Sequence, residues 1–353
     1  MGMKIVTSAP TKVILAGEHA VVHGCPSLAI PIERRNRITL STQPGQGFRF
    51  TNTAHPMQWF WNWAPSGDFV GPAIYRGLLD QALHILRSCG RDPAQIGVQI
   101  CADLDYSFAP KGMGNSASIA AAWGLALYTY LGVQPTNSQL FEAAQVEEKV
   151  AHSNPSGIDA RTVLSRCAQR FEKTWLPDGT AQFHFQDARV KLPHHTPLFL
   201  AQTPLALGER VLPTADLVAR FSQNLVGKLP NEVTAADRRK IVEPFVPVVT
   251  DIMRELHPSG NAYRLGELFV ANHELLRKGG VVPNSMQNLV ELSLADGALG
   301  AKGTGACGPG GGVLVLCREA DQARLRRSLR KEGIKTLTLQ PALHGARVEL
   351  QLA

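Results

Sequence analysis

Three polar side chains, Lys12, Glu18 and His19, interrupt an otherwise apolar run, KVILAGEHAVVHG at residues 12–24. A polar group carried into a core needs a hydrogen-bond or ion-pair partner, so these residues are either paired structurally or used chemically. His19 and His23 stand four apart, but no Glu follows the first His as it does in the HExxH helix of zinc hydrolases. A second pair lies in EEKVAHSNPSGIDA, residues 147–160, where Glu148 precedes Asp159 by eleven residues. A helix should end near His152, and Asn-Pro and Ser-Gly then force a turn. One carboxylate on the helix and one beyond the turn can face the same cleft. There one could hold Mg²⁺ and the other take a hydroxyl proton. A lone acidic residue is more often a surface charge, and the case rests on the combination.

Two glycine-rich segments supply the counterpart. In GMGNSASIAAA, residues 112–122, glycines that tolerate close backbone approach run directly into an Ala-rich helix. The start of that helix offers N–H groups and the positive end of a dipole, which together suit an anion. Ser116 in the first turn can offer a hydroxyl to a metal or phosphate, and Lys111 just before it can offset phosphate charge. The GxxxxGK[ST] spacing of a P-loop is absent, and an ordinary turn before a packed helix remains open. The segment KGTGACGPGGG, residues 302–312, holds six glycines in eleven residues, more than a simple turn needs. It implies close approach to another segment or to a ligand.

The elements that must position these residues follow from periodicity. Residues 4–8, 11–15, 29–32, 37–41 and 97–101 read as strands. Residues 70–90, 115–131 and 136–152 read as helices, with Gly90 and Gly132 as stops. A hairpin is expected over 168–185, a strand over 197–204, helices from about 216 to 295, and a buried strand over 312–317. A helix over 319–332 and two short strands close the chain. The aromatic-rich residues 53–67 read as irregular, either a hydrophobic loop or a cover for a planar ligand. A lobe boundary is placed near residue 180, giving lobes of 1–180 and 181–353. The 353 residues, 44% hydrophobic and 18% charged, suit a packed globular protein. The net charge of +7 is not gathered into a stripe. The basic run ARLRRSLRKEG at 323–333 carries leucines and reads as a solvated helix face, so neither nucleic acid nor membrane is expected as a partner. Six scattered cysteines without CxxC spacing argue for free thiols in a reducing compartment, here taken as the cytoplasm.

Taken in order, these segments resemble the GHMP small-molecule kinases, and among them most closely the mevalonate kinase branch. GEHAVVHG at 17–24, AHSNPSGIDA at 151–160 and NHELLRKGGVV at 272–282 carry the resemblance. It implies an α+β, two-lobed fold, with an N-lobe like ribosomal protein S5 domain 2 and a ferredoxin-like C-lobe. It also implies ATP and Mg²⁺ as cofactors and a small hydroxylated acceptor, mevalonate or a relative. Asp159 would be the catalytic carboxylate, with Lys12 its cationic neighbour. Lys111, Gly112, Gly114, Asn115, Ser116, Ala117 and Ser118 would cradle the phosphates, and Ser116 and Glu148 would hold the metal. Glu18, His19, Thr304, Gly305 and Ala306 would line the acceptor pocket. Kinases of this type are often dimers, so a homodimer fits the resemblance. Two stretches depart from the pattern. FAPKGMGNSA at 108–117 carries Pro110, Lys111 and Asn115 where the family favours small residues and Ser. In RVLPTADLV at 210–218, Leu212 and Pro213 precede Thr214 where a basic residue is usual. These departures keep open another acceptor, such as the mevalonate 3-hydroxyl or a sugar. A catalytically inactive ATP sensor is a third reading, against which the presence of Lys12, Ser116, Glu148 and Asp159 stands.

Overall fold

The computed structural model describes residues 3–52, 55–61, 73–93, 96, 98–105, 111–152, 155–176 and 179–352. The two short strands expected over 4–8 and 11–15 are one, β1 (Lys4–Ala16). Pro10, which cannot donate to a ladder, is absorbed at a register shift between Pro10 and Thr11 instead of ending the strand. The same holds for β2 (Ser27–Pro44), which fuses the segments at 29–32 and 37–41. β3 (Gly47–Asn52) and β4 (His55–Trp61) follow, then α1 (Ala73–Ser88), β5 (Val98–Asp105), α2 (Asn115–Tyr130), α3 (Asn137–His152) and α4 (Ile158–Leu164). The aromatic segment is therefore not irregular throughout: residues 55–61 pair antiparallel with β3. Residues 53, 54 and 62–67 lie outside the described residues.

β6 (Ala168–Trp175) and β7 (Ala181–Ala188) form the expected hairpin. β8 (Leu198–Gln202) begins a second sheet, and α5 (Thr214–Val226), α6 (Ala235–Val242), α7 (Phe245–Glu255), α8 (Ala262–Lys278) and α9 (Asn284–Ala295) fill the helical region. β9 (Gly300–Thr304), β10 (Gly312–Leu316), α10 (Glu319–Lys331), β11 (Thr336–Thr338) and β12 (Arg347–Leu352) complete the chain. The first sheet has the order β12-β1-β2-β5-β3-β4, with the β6–β7 hairpin attached to β2, and the second has the order β11-β8-β10-β9. Residue 180, where a lobe boundary was expected, falls in the hairpin turn, and β12 follows β11 of the second sheet yet pairs with β1 of the first.

Two main cores form, and the one around the second sheet also takes in Val13 and Leu15 of β1 and Leu28 and Ile30 of β2. In the first, α2 is buried along most of its length, which explains its run of alanines: small side chains let it lie close to the sheet and to its neighbours. Thr7 Oγ1 donates to the Ala122 carbonyl at 2.7 Å and Ser118 Oγ to the Ala9 carbonyl at 2.8 Å, fixing α2 against β1. In the second, Phe199, Leu200, Val313, Leu314 and Val315 pack with Phe221, Phe245 and Phe269 from the helices.

Candidate functional site

β12 accompanies β1 only as far as Ser8, so the second half of β1 has one edge left to satisfy. The two glycine segments do this. The Lys12 amide donates to the Met113 carbonyl at 2.9 Å, and the Ile14 amide donates to Thr304 Oγ1 at 3.0 Å. Thr304 Oγ1 returns a hydrogen bond to the Ile14 carbonyl at 2.8 Å. The loops also touch each other, since Lys111 and Gly311 form a parallel bridge. Gly305, at φ 67°, lies so close to residue 112 that an added Cβ would stand 2.6 Å from the Gly112 carbonyl oxygen. The abundance of glycine thus has a physical cause: three backbones converge on one strand edge.

Lys12, 2% exposed, rises from this edge. Its Nζ lies 3.0 Å from Asp159 Oδ1 and donates to the Gly112 carbonyl at 3.0 Å. Gly114, at φ 66°, leaves the room in which the Lys12 stem lies, and a Cβ there would fall 2.9 Å from Lys12 Cγ. Asp159 sits in the first turn of α4 behind Gly157, an αL residue. It keeps 26% exposure, so it can meet a ligand while Lys12 anchors it. Ser116 Oγ, in the first turn of α2, donates to Glu148 Oε1 on α3. Burial and the nearby Asp159 charge push the Glu148 carboxyl up to about 7, against the opposing effects of Ser116 and Lys12. Glu147, wholly buried beside it, is also raised by burial and by the Glu148 charge.

Of the residues expected to cradle phosphates, Ala117 and Ser118 are fully buried, and Ser118 is committed to β1. The N-cap of α2 is Gly114, which has no side chain of its own to cap the helix. Asn115 Oδ1 accepts from Asn36 Nδ2 at 3.3 Å. Lys111 Nζ donates to the carbonyl of Leu212, the position where the sequence lacks the usual basic side chain.

The residues assigned to an acceptor pocket divide. Glu18 is completely buried and forms an ion pair with Lys302, itself 0% exposed, while Asn272 Nδ2 approaches its other oxygen at 3.5 Å. Lys302 and Asn272 were not singled out from the sequence. Their signal was a lysine opening the third glycine segment and an Asn-His pair on α8. Thr304 is spent on β1, and Gly305 packs on Gly112. His19 adopts φ 54°, ψ −49°, costly for a residue with a side chain, and its neighbours Glu18 and Ala20 close a tight turn through a 2.5 Å hydrogen bond. Its Nε2 lies 3.1 Å from the Ala306 carbonyl. A carbonyl only accepts, so Nε2 carries the hydrogen and Nδ1 is left buried with no partner among the described residues. Burial pushes the imidazole down to about 4, so it is neutral. His23 bonds Ser222 at 3.0 Å and takes no part in this group. Among the described residues, no three His, Cys, Asp or Glu side chains gather as a metal cluster.

This arrangement can anchor a carboxylate beside a cation, present helix-end donors to an anion, and offer Ser116 and Glu148 as two oxygen ligands. Residues 82–165 match the GHMP kinases N terminal domain, and residues 252–335 match the GHMP kinases C terminal family. The mevalonate kinase of Aeropyrum pernix is 29% identical over 351 residues, spanning 97% of this chain and 97% of that protein. The mevalonate kinase of Methanococcus jannaschii superposes with a TM-score of 0.74 at 19% identity, covering 96% of this chain and 98% of the other. Lactococcus lactis galactokinase complexed with galactose superposes at 0.73 with 15% identity, covering 98% and 95%. Structural likenesses this distant establish the fold and leave the acceptor undecided.

Proposed function

Because the chain belongs to the GHMP kinases, we propose that it transfers the γ-phosphoryl group of ATP to the primary hydroxyl of mevalonate, giving 5-phosphomevalonate. The observation that carries the reading is the Lys12–Asp159 ion pair, held between two glycine loops in a chain similar along its whole length to a mevalonate kinase.

Asp159 accepts the proton of the acceptor hydroxyl as its oxygen attacks phosphorus, and ADP leaves with the electrons of the broken P–O bond. Lys12 fixes the carboxylate and adds positive charge where negative charge collects. The turn over residues 111–118 and the N-terminus of α2 receive the phosphates, so catalysis rests on positioning and charge compensation. Ser116 and Glu148 would hold Mg²⁺, which when bound neutralises phosphate charge. Glu148 fits that role: a buried carboxyl raised by its surroundings gains most from a cation beside it. On the acceptor side, His19 Nδ1 has hydrogen-bonding capacity to spare, while Glu18 and Thr304 shape the pocket through Lys302 and Ile14.

A second reading is favoured by Lys111. With Leu212 and Pro213 in place of a cation, Lys111 is the ammonium that reaches this strand of backbone, from the phosphate loop and not from the C-lobe. An acceptor other than mevalonate, or its 3-hydroxyl, would suit so altered a pocket. ADP release with Mg·ATP and mevalonate, followed by phosphorus NMR of the product, separates the readings. Phosphate on the primary hydroxyl is expected. Phosphate on the tertiary hydroxyl, or turnover only of another acceptor, would transfer the assignment to the second reading.

A further inference from the structure

Where the β6–β7 hairpin meets α6, two cations share one aromatic ring. Lys173 Nζ lies 4.0 Å from the centroid of the Trp175 ring, and Arg238 Cζ lies 3.6 Å from it. Lys173 is only 8% exposed; its ammonium also lies 5.5 Å from the centroid of the Phe183 ring, and among the described residues that ammonium makes no hydrogen bond or ion pair. Two further donors in the group, Trp175 Nε1 and Arg238 Nε, are buried without an acceptor among the described residues.

Among the described residues, the neighbouring acids are already engaged. Glu172 alternates to the other face of β6 and pairs with Arg170, and Asp237 is held by Lys228 and Thr234. Cation–π attraction offsets part of the cost of this arrangement, yet a ring quadrupole is no substitute for a counter-charge on two cations. Burial, aided by Arg238, pushes the Lys173 ammonium down to about 8. Both cations also depress His23, in the turn before Gly24, so their field reaches beyond the ring.

We propose that Lys173, Arg238 and Trp175 form a binding site for a small, doubly charged oxyanion such as a phosphate ester, separate from the loops around Lys12. The chemistry is that of recognition: a guanidinium and an ammonium lie against one indole ring, and the indole N–H and Arg238 Nε have no acceptor among the described residues. Two positive charges match a dianion, and none of the three residues contacts Lys12, Ser116, Glu148 or Asp159.

The test is titration of the full chain with inorganic phosphate in EDTA at pH 7.5, followed by calorimetry, on wild type, Lys173→Gln, Arg238→Gln and Lys173→Arg. Wild type should show a saturable event whose Kd rises at least tenfold in Lys173→Gln and in Arg238→Gln. Lys173→Arg, which keeps the charge, should recover most of it. The KM for ATP should stay within twofold in all variants, which distinguishes this event from binding at the phosphate loop and also reports that the variants fold. No saturable event in wild type, or equal affinity in wild type and both Gln variants, would overturn the proposal.

Discussion

Replacing Asp159 by Asn keeps the size of the side chain that Lys12 holds but removes the proton acceptor. The expected result is a fall in kcat of about 10²–10⁴-fold, with ATP affinity by calorimetry nearly unchanged. Turnover at the wild-type rate would remove Asp159 from the proposed chemistry. The Glu18–Lys302 pair makes a different prediction, because both partners are fully buried. Lys302→Met strands a carboxylate and should cost about 3–5 kcal/mol in denaturant titration, whereas Lys302→Met combined with Glu18→Gln should cost much less. Equal losses in the single and double variants would show that the pair is not coupled. Lys12, Glu148 and Asp159 were legible because each interrupts or follows a local pattern. Lys302 was not, since its partner lies 284 positions away and a lysine in a glycine-rich turn reads as exposed.

At the scale of elements, the glycine loops are close-packed parts as much as ligand cradles. Gly305→Ala places a methyl group 2.6 Å from the Gly112 carbonyl oxygen at a positive φ, so the loops must separate. We expect a loss of about 1–3 kcal/mol in thermal or denaturant unfolding together with a rise in KM for ATP, because the turn proposed to receive the phosphates packs on residue 305. Gly90→Ala, where an added Cβ meets nothing within 4 Å, is the control and should leave KM unaltered. The helices were readable because their signals are local: α2 and α3 begin and end within a residue or two of expectation, α2 as an apolar run bounded by glycine turns and α3 from its polar start and apolar spacing. The strands were less so. β1 and β2 each continue through a proline, because a bulge or an isolated missing donor is tolerated once neighbours on both sides supply the ladder. Residues 55–61 pair with β3, a partner that composition does not reveal.

For the whole molecule, buried histidines set the response to acid. His19, His23 and His273 are each pushed down to about 4, chiefly by burial. The unfolded chain takes up their protons at about 6.5, so the folded state holds their contribution above that pH and loses it as pH falls toward 4. The adjacent Glu147 and Glu148 act as one site in the opposite sense: with both carboxyls raised, Glu148 to about 7, it favours the folded state at low pH and withdraws that contribution as pH rises from 4.5 through 7. Three histidines at roughly 3 kcal/mol each outweigh it, so the melting temperature should drop steadily between pH 6.5 and 4, and a rise would contradict the burial argument. The paired termini of the fold add a constraint that composition could not reveal, since β12 follows β11 of the second sheet yet lies against β1. Beyond the point where β12 ends, the amides of Lys12 and Ile14 belong to neither sheet's ladder and are instead held by the two glycine loops. Those two amide protons are therefore built-in reporters. In deuterated water their exchange measures how often the loops lift from the strand, and a nucleotide that clamps the loops should slow both together while leaving the ladder amides of β2 as they were.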